Sequence, residues 1–257
     1  MLQELLVIIS GSLVGFLLGM LGGGGSILAV PLLLYVVGMA DVHKAIGTSA
    51  AAVAISAGMN LMIHARSHTV KWPCAVVFAI FGVVGAAAGS TLGKWTQPAL
   101  LLGLFGVLMV GVGGLMLLGK ANGHNPDVRL TRASAHWLLP RLAIGGLVVG
   151  FLAGFFGIGG GFLIVPGLVA STAMPLINAI GSSLISVSSF GITTAANYAI
   201  EGLVNWRYVL LFSVGSLVGG FLGAWVSRHL AVRRRLLSVL FAVFVMMAGV
   251  GVIWSAV

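Results

Sequence analysis

The sequence predicts an all-α polytopic membrane protein made of two inverted repeats. Each repeat has five helical segments, and its first two segments form a broken or re-entrant hairpin. Three observations predict this: an extreme apolar composition, a duplication at a spacing of 134–135 residues, and glycine and proline interruptions at matching places in both halves.

Hydrophobic residues make up 60% of the 257 residues and charged residues only 7%, against about 25% charged in a soluble domain. A soluble fold has no place to hide so much apolar surface, so the solvent is lipid. Glycine, at 39 residues, suits membrane helices that pack through small side chains. The net charge of +9 is expected to set topology from short loops rather than to bind nucleic acid. The single cysteine, Cys74, excludes an internal disulfide and a cysteine-only metal site. The N-terminal stretch has the length of a signal peptide but neither a basic start nor a small-residue cleavage pattern, so it is expected to be a mature segment.

Residues 15–31 match 150–166 at ten of seventeen positions. "AIGTSA" at 45–50 answers "AIGSSL" at 179–184, "VKW" at 70–72 answers "VNW" at 204–206, and Gly85 and Gly89 answer Gly219 and Gly223. The constant offset marks a duplication. In the first half the apolar segments run 4–21, 26–39, 45–64, 73–93 and 98–119. In the second they run 141–156, 161–174, 178–200, 206–226 and 236–257. The stretch "KANGHNPDVRLTRASAH" is polar, which divides the chain into a first repeat at 1–119, a cytoplasmic linker at 120–140 and a second repeat at 141–257.

Five segments per half is odd, so the second half is expected to be inverted. With every segment reversing the chain, one side holds Lys44, Lys94 and Arg207. The other holds Arg66, Lys71, Lys120, Arg129, Arg132, Arg141, Arg228, Arg233, Arg234 and Arg235. Three against ten is a positive-inside bias, which places both termini outside. Merging the first two segments of each half into one crossing gives seven against six and no bias. Those first two segments are short for a hydrocarbon core of about 30 Å, and Pro31 and Pro166 interrupt the second of each pair. Full crossings and re-entrant hairpins have the same parity, so the charge count is compatible with both.

Irregular backbone within a membrane is tolerated only where protein buries it or a wet cavity bathes it. Interrupted segments at matching places in two halves point to a transporter's binding site. Gly22, Gly23, Gly24 and Gly25, with Gly157, Gly159, Gly160 and Gly161, allow close backbone approach and convergent N–H groups, a geometry that suits an oxyanion. Helix packing is the competing role for such glycines. Gly47, Thr48 and Ser49 recur as Gly181, Ser182 and Ser183; their hydroxyls can donate to an anion or bond back to their own helix. Asn60 and Asn197 are candidates for interhelix bonding or substrate contact. Arg66 and Lys71, beside His64 and His68, are candidates for lipid headgroup contact or an anion-attracting vestibule. The four acidic residues, Glu4, Asp41, Asp127 and Glu201, lie at segment ends or in the linker. A proton relay or cation site usually places a carboxylate at mid-membrane; an anion carrier needs none.

A tandem duplication carrying "LGGGGSILAVP" and "FGIGGGFLIVP", followed by G-T-S and G-S-S, resembles the TauE/SafE sulfite exporter family, also called the toluene sulfonate uptake permease family. The resemblance spans nearly the whole chain. It implies an inner-membrane carrier of sulfite, thiosulfate, sulfonates such as sulfoacetate, or related small organic anions, with both export and import known. Family members are commonly described with eight helices, whereas the charge count favours ten segments. The expected function is therefore secondary transport of sulfite or a related sulfur oxyanion, outward, by alternating access. The alternative is uptake of another small organic anion such as a carboxylate. A membrane scaffold has no reason to repeat broken hairpins, and an intramembrane hydrolase lacks a G-x-S-x-G elbow and a histidine inside a segment. The expected partners are a small anionic substrate and the lipid bilayer, with no nucleic acid, no metal and no cofactor; a homodimer is one candidate assembly.

Overall fold

The computed structural model describes residues 2–66, 70–118, 132–159, 161–229 and 234–256, and within them every regular element is helical. The first half comprises α1 (Leu2–Leu21), a 3₁₀ stretch (Gly22–Leu28), a single α-turn α2 (Ala29–Pro31), a π-helical stretch (Leu32–Val36), α3 (Val42–Arg66), α4 (Trp72–Trp95) and α5 (Pro98–Leu118). The second comprises α6 (Arg132–Phe156), α7 (Gly161–Thr172), α8 (Leu176–Ala199), α9 (Trp206–His229) and α10 (Arg234–Ala256). Seven of these helices are long and apolar enough to cross a membrane, and 24–36, 161–172 and 241–254 form shorter apolar helices. The chain is a multi-pass membrane protein.

Local chemistry explains the boundaries. Asp41 accepts the Lys44 N–H on its side chain at 3.1 Å and the Ala45 N–H on its carbonyl at 2.9 Å, starting α3. Pro73 in the first turn of α4, Pro98 at the head of α5 and Pro175 just before α8 stand where a missing N–H costs nothing. Pro31 has no N–H to give, and the helix beyond it widens: the Val37 N–H reaches back five residues to the Leu32 carbonyl at 3.0 Å. The second segment of the first half is thus three kinds of helix in series, whereas its partner in the second half is the plain helix α7, which carries Pro166 inside it. The linker was expected to extend to residue 140, but α6 begins at Arg132. No strong breaker precedes Pro140, and Arg141 stacks over the Trp137 ring at 4.7 Å, one turn away. Residues 120–131 lie outside the described residues.

The molecule presents apolar side chains on its outside. Leu2, Leu5, Ile9 and Leu13 on α1, and Val76, Ile80 and Val84 on α4, are exposed stripes. The two most buried of the long helices are α3 and α8. They cross antiparallel, with Ala50 beside Gly191 and the Ser188 Oγ donating to the Ala54 carbonyl at 2.8 Å. Helices α5 and α10 also pair antiparallel, Gly106 facing Ile253 and Gly113 facing Met246.

The two halves exchange their remaining helices. The first helix of each half packs along the fourth helix of the other: α1 on α9 and α6 on α4. Both pairs are parallel and pressed backbone to backbone. Gly11 and Gly15 face the Phe212 and Ser216 carbonyls, while Gly215, Gly219 and Gly223 face those of Ile8, Ser12 and Phe16. In the other pair, Gly85, Gly89 and Gly93 face Leu147, Phe151 and Phe155, while Gly146, Gly150 and Gly154 face Phe78, Gly82 and Ala86. A Cβ at any of these positions would run into main-chain atoms, which cannot swing aside.

Gly219→Leu and Gly150→Leu are therefore expected to destabilise by about 1–3 kcal/mol or to block assembly. Gly103→Ala and Gly111→Ala, which meet open space, should stay within about 0.5 kcal/mol. Scanning fluorimetry and size-exclusion chromatography of the detergent-solubilised protein check both.

Candidate functional site

The tip of the second hairpin is inserted into the middle of the fold. Helix α6 ends as the Gly157 N–H bonds to the Gly154 carbonyl and the Ile158 N–H to that of Ala153, both at 3.2 Å. Gly157 and Gly159 then adopt left-handed backbone, with φ of +65° and +67°, a conformation that glycine enters without cost. The turn fits against α3: a Cβ at Gly157 would strike Ile46, and one at Gly159 would lie 2.9 Å from Val53. Helix α7 starts at Gly161, so the first-turn N–H groups, which have no partner within their own helix, point back toward this tip. Gly160 lies outside the described residues.

The first hairpin arrives differently. Gly22, Gly23, Gly24 and Gly25 are wound into 3₁₀ turns rather than left-handed backbone. Gly25 packs onto α1, where a Cβ would lie 2.5 Å from that of Leu17. The 3₁₀ stretch contacts both α7 and α8, so the two hairpins meet beside the α3–α8 crossing.

The hydroxyl pairs hold the ends of this arrangement. Thr48 Oγ1 accepts the Asn205 N–H at 3.0 Å, and Ser182 Oγ accepts the Lys71 N–H at 2.9 Å. Thr48 and Ser182 are equivalent in the repeat, as are Asn205 and Lys71. Each hydroxyl thus anchors the residue that precedes α9 or α4. Asn205 also caps α9, its Oδ1 accepting the Tyr208 N–H at 3.2 Å. Ser49 and Ser183 return their protons to the Ile46 and Ile180 carbonyls at 2.9 and 2.8 Å, and Ser49 also approaches the Gly157 carbonyl at 3.2 Å. Gly47 lets the α8–α9 connection close in, because a Cβ there would strike the Leu203 carbonyl. Gly181 is buried at the start of α8. Because α3 and α8 are antiparallel, Thr48 and Ser182 lie on opposite sides of the crossing, each near its own end of the molecule.

The two asparagines have separate roles. Asn197 Nδ2 donates to Ser90 Oγ at 2.7 Å and Thr91 Oγ1 at 2.9 Å, joining α8 to α4. Asn60 is 3% exposed. Its Nδ2 donates to the Ser56 carbonyl at 2.9 Å, and its Oδ1 is buried with no partner among the described residues. The repeat offset places Thr194, not Asn197, opposite Asn60. Thr194 is also fully buried, and its Oγ1 also has no partner among the described residues. An identity-based comparison of the halves misses this pair because the residue types differ; the offset alone would have found it. A cleft of about 260 Å³ between α3 and α9 is lined by Met59, Asn60, Met62, Arg66, Leu217 and Phe221, so Asn60 and Arg66 share one opening. Lys71 is half-buried at the head of α4, tied to α8 through its main chain. Among the described residues no three potential metal ligands cluster.

Thr48→Val and Ser182→Ala each strand a half-buried backbone N–H and should destabilise by about 1 kcal/mol, while Thr48→Ser and Ser182→Thr should not. Thermal midpoints of the four variants compared with the parent protein decide this.

Comparison with known proteins shows the family. The family described as "Sulfite exporter TauE/SafE" matches residues 7–252. A probable membrane transporter protein of Xylella fastidiosa (strain Temecula1) is 49% identical, covering 99% of this chain and 97% of its own. The probable membrane transporter protein MJ0441 of Methanocaldococcus jannaschii is 31% identical over 72% of this chain and 69% of its own. The probable membrane transporter protein YunE of Bacillus subtilis is 27% identical over 88% and 89%. No solved structure matches the chain significantly. The chain belongs to the TauE/SafE sulfite exporter family of membrane transporters.

Proposed function

We propose that this protein is a secondary carrier that moves sulfite, or a related small sulfur oxyanion or organosulfonate, outward across the inner membrane by alternating access. The observation that carries this reading is the glycine tip, Gly157–Gly159, buried against α3 and continuing into the N-terminus of α7. A helix N-terminus beside glycine backbone offers donors and partial positive charge without a cationic side chain. Thr194 and Asn60 lie on either side of the crossing, their side-chain oxygens buried with no partner among the described residues. The family description supplies the sulfur oxyanion.

The transport cycle is a rocking of two inverted halves about the α3–α8 crossing. Three features support the inversion. The equivalent helices α3 and α8 run antiparallel, as do the equivalent helices α5 and α10. The Ser188–Ala54 hydrogen bond joins two residues 134 positions apart, the repeat spacing itself, where a two-fold axis relating the halves would pass. The charge bias of the loops agrees and puts the linker in the cytoplasm with both termini outside.

The test is flux of labelled sulfite in proteoliposomes, with thiosulfate, sulfate, sulfoacetate and a small carboxylate as competitors, with and without a pH gradient. Saturable sulfite movement blocked by another sulfur oxyanion is the expected result. Saturable carboxylate movement without sulfite movement would replace the substrate class. Gly159→Ala, which forces a side chain into left-handed backbone against Val53, and Gly24→Val should abolish flux while the protein still inserts. Normal flux in both variants would refute the glycine site.

A further inference from the structure

The two ends of the molecule are equivalent by repeat and unequal in chemistry. One helical turn beyond Thr194, toward the end of α8, a polar cluster ties α8 to α4. Asn197 binds Ser90 and Thr91. Lys94 Nζ donates to the Asn197 carbonyl at 3.2 Å and to Glu201 Oε1 at 2.5 Å. The Lys94 side chain is only 8% exposed, so this is a sheltered ion pair rather than a solvated surface one. The same end carries the Arg207–Glu4 ion pair between α9 and α1.

At the opposite end the repeat puts Ile63 where Asn197 stands, Ala224 for Ser90, Trp225 for Thr91 and Ser67 for Glu201. Arg228 stands where Lys94 does, but Ser67 carries no carboxylate and isoleucine and alanine have no side-chain group that can bond, so the ion pair and its amide bridge cannot be rebuilt between α3 and α9. What lies there is the cleft that reaches Asn60. The inner positions 194 and 60 are thus matched, while what covers them differs.

Building on the carrier reading above, we propose that the Lys94–Glu201–Asn197 cluster is the latch of one gate and that the α3–α9 cleft beneath Arg66 is the mouth of the other. The latch holds α4 on α8 and keeps the Thr194 side shut. The opposite end has no equivalent of the Glu201 carboxylate to build such a latch, so the carrier rests open toward Asn60. To release substrate past Thr194, the ion pair separates and α4 leaves α8. Lys94, Glu201 and Asn197 are positioning residues: they set which side is open and take no part in holding the anion.

The experiment reads side-specific access independently of transport. Cys74 is the single cysteine, so Cys74→Ala gives a cysteine-free background for Met59→Cys or Thr194→Cys as a reporter. A membrane-impermeant maleimide is applied to either face of oriented vesicles. With the latch intact, position 59 should label from its own face and position 194 should be protected. Lys94→Gln or Glu201→Gln should raise labelling at 194 from the opposite face several-fold and lower it at 59. The exchange Lys94→Glu with Glu201→Lys should restore the parent pattern, which a general loosening of structure would not do. Glu201 is half-exposed, so Glu201→Gln keeps the test available if Lys94 variants do not fold. Unchanged protection at 194 in folded Glu201→Gln protein would overturn the latch. A shift in labelling without sulfite flux would leave the latch standing and count against the substrate.

Discussion

The contact on which the rest of the structure depends is main chain against main chain. Along α1 with α9 and along α4 with α6, glycine on one helix meets carbonyl groups on the other every turn. In lipid there is no hydrophobic drive to bring apolar helices together, because the tails are as apolar as leucine. Close packing and Cα–H···O contacts supply the attraction instead, each small but repeated along the helix. Side chains on these faces would separate the helices and leave α3 and α8 without walls.

Between those walls the interior is built from small and hydroxylated residues. Ser49, Ser56, Ser183 and Thr172 return their protons to a carbonyl of the preceding turn, which keeps polar groups satisfied without an acidic or basic side chain at mid-depth. The main chain adds to this polarity near the crossing, where the second hairpin turns through two left-handed glycines. An uncharged interior suits the anion site proposed above, since a fixed lysine or arginine would hold an anion too tightly to release it.

Much of this was legible in the sequence. The duplication, the small-residue spacing of Gly85–Gly89 and Gly219–Gly223, and the interruption at Pro31 all follow from residue type and period. What was not legible was partnership. The sequence marks a glycine face but not what it meets, so the exchange of helices between halves could not be read from it. The contrast between the two hairpins was equally hidden, since near-identical glycine runs wind into 3₁₀ turns in one case and left-handed backbone in the other. Asn197 and Asn60 look alike as lone amides in apolar segments. Only three-dimensional contacts separate a helix-to-helix bond from an oxygen that has no partner among the described residues. The sequence places the head of α6 in the linker because Arg132, Ser134 and His136 interrupt the apolar run, although no glycine or proline from 132 to 139 prevents a helix.

The exchange of helices has a consequence for how the chain comes to exist. When the first half leaves the ribosome, the glycine faces of α1 and α4 have no matching surface within that half. Their partners, α9 and α6, are not yet made. The first half must therefore wait in the bilayer incompletely assembled, and the final docking is a late step spanning most of the chain, with the slow kinetics that long-range contacts bring. The same logic runs backward in time. Before duplication, a single half could complete its faces only by borrowing them from a second copy. The fused chain thus carries, as an internal interface, contacts that two separate halves would have to form by meeting.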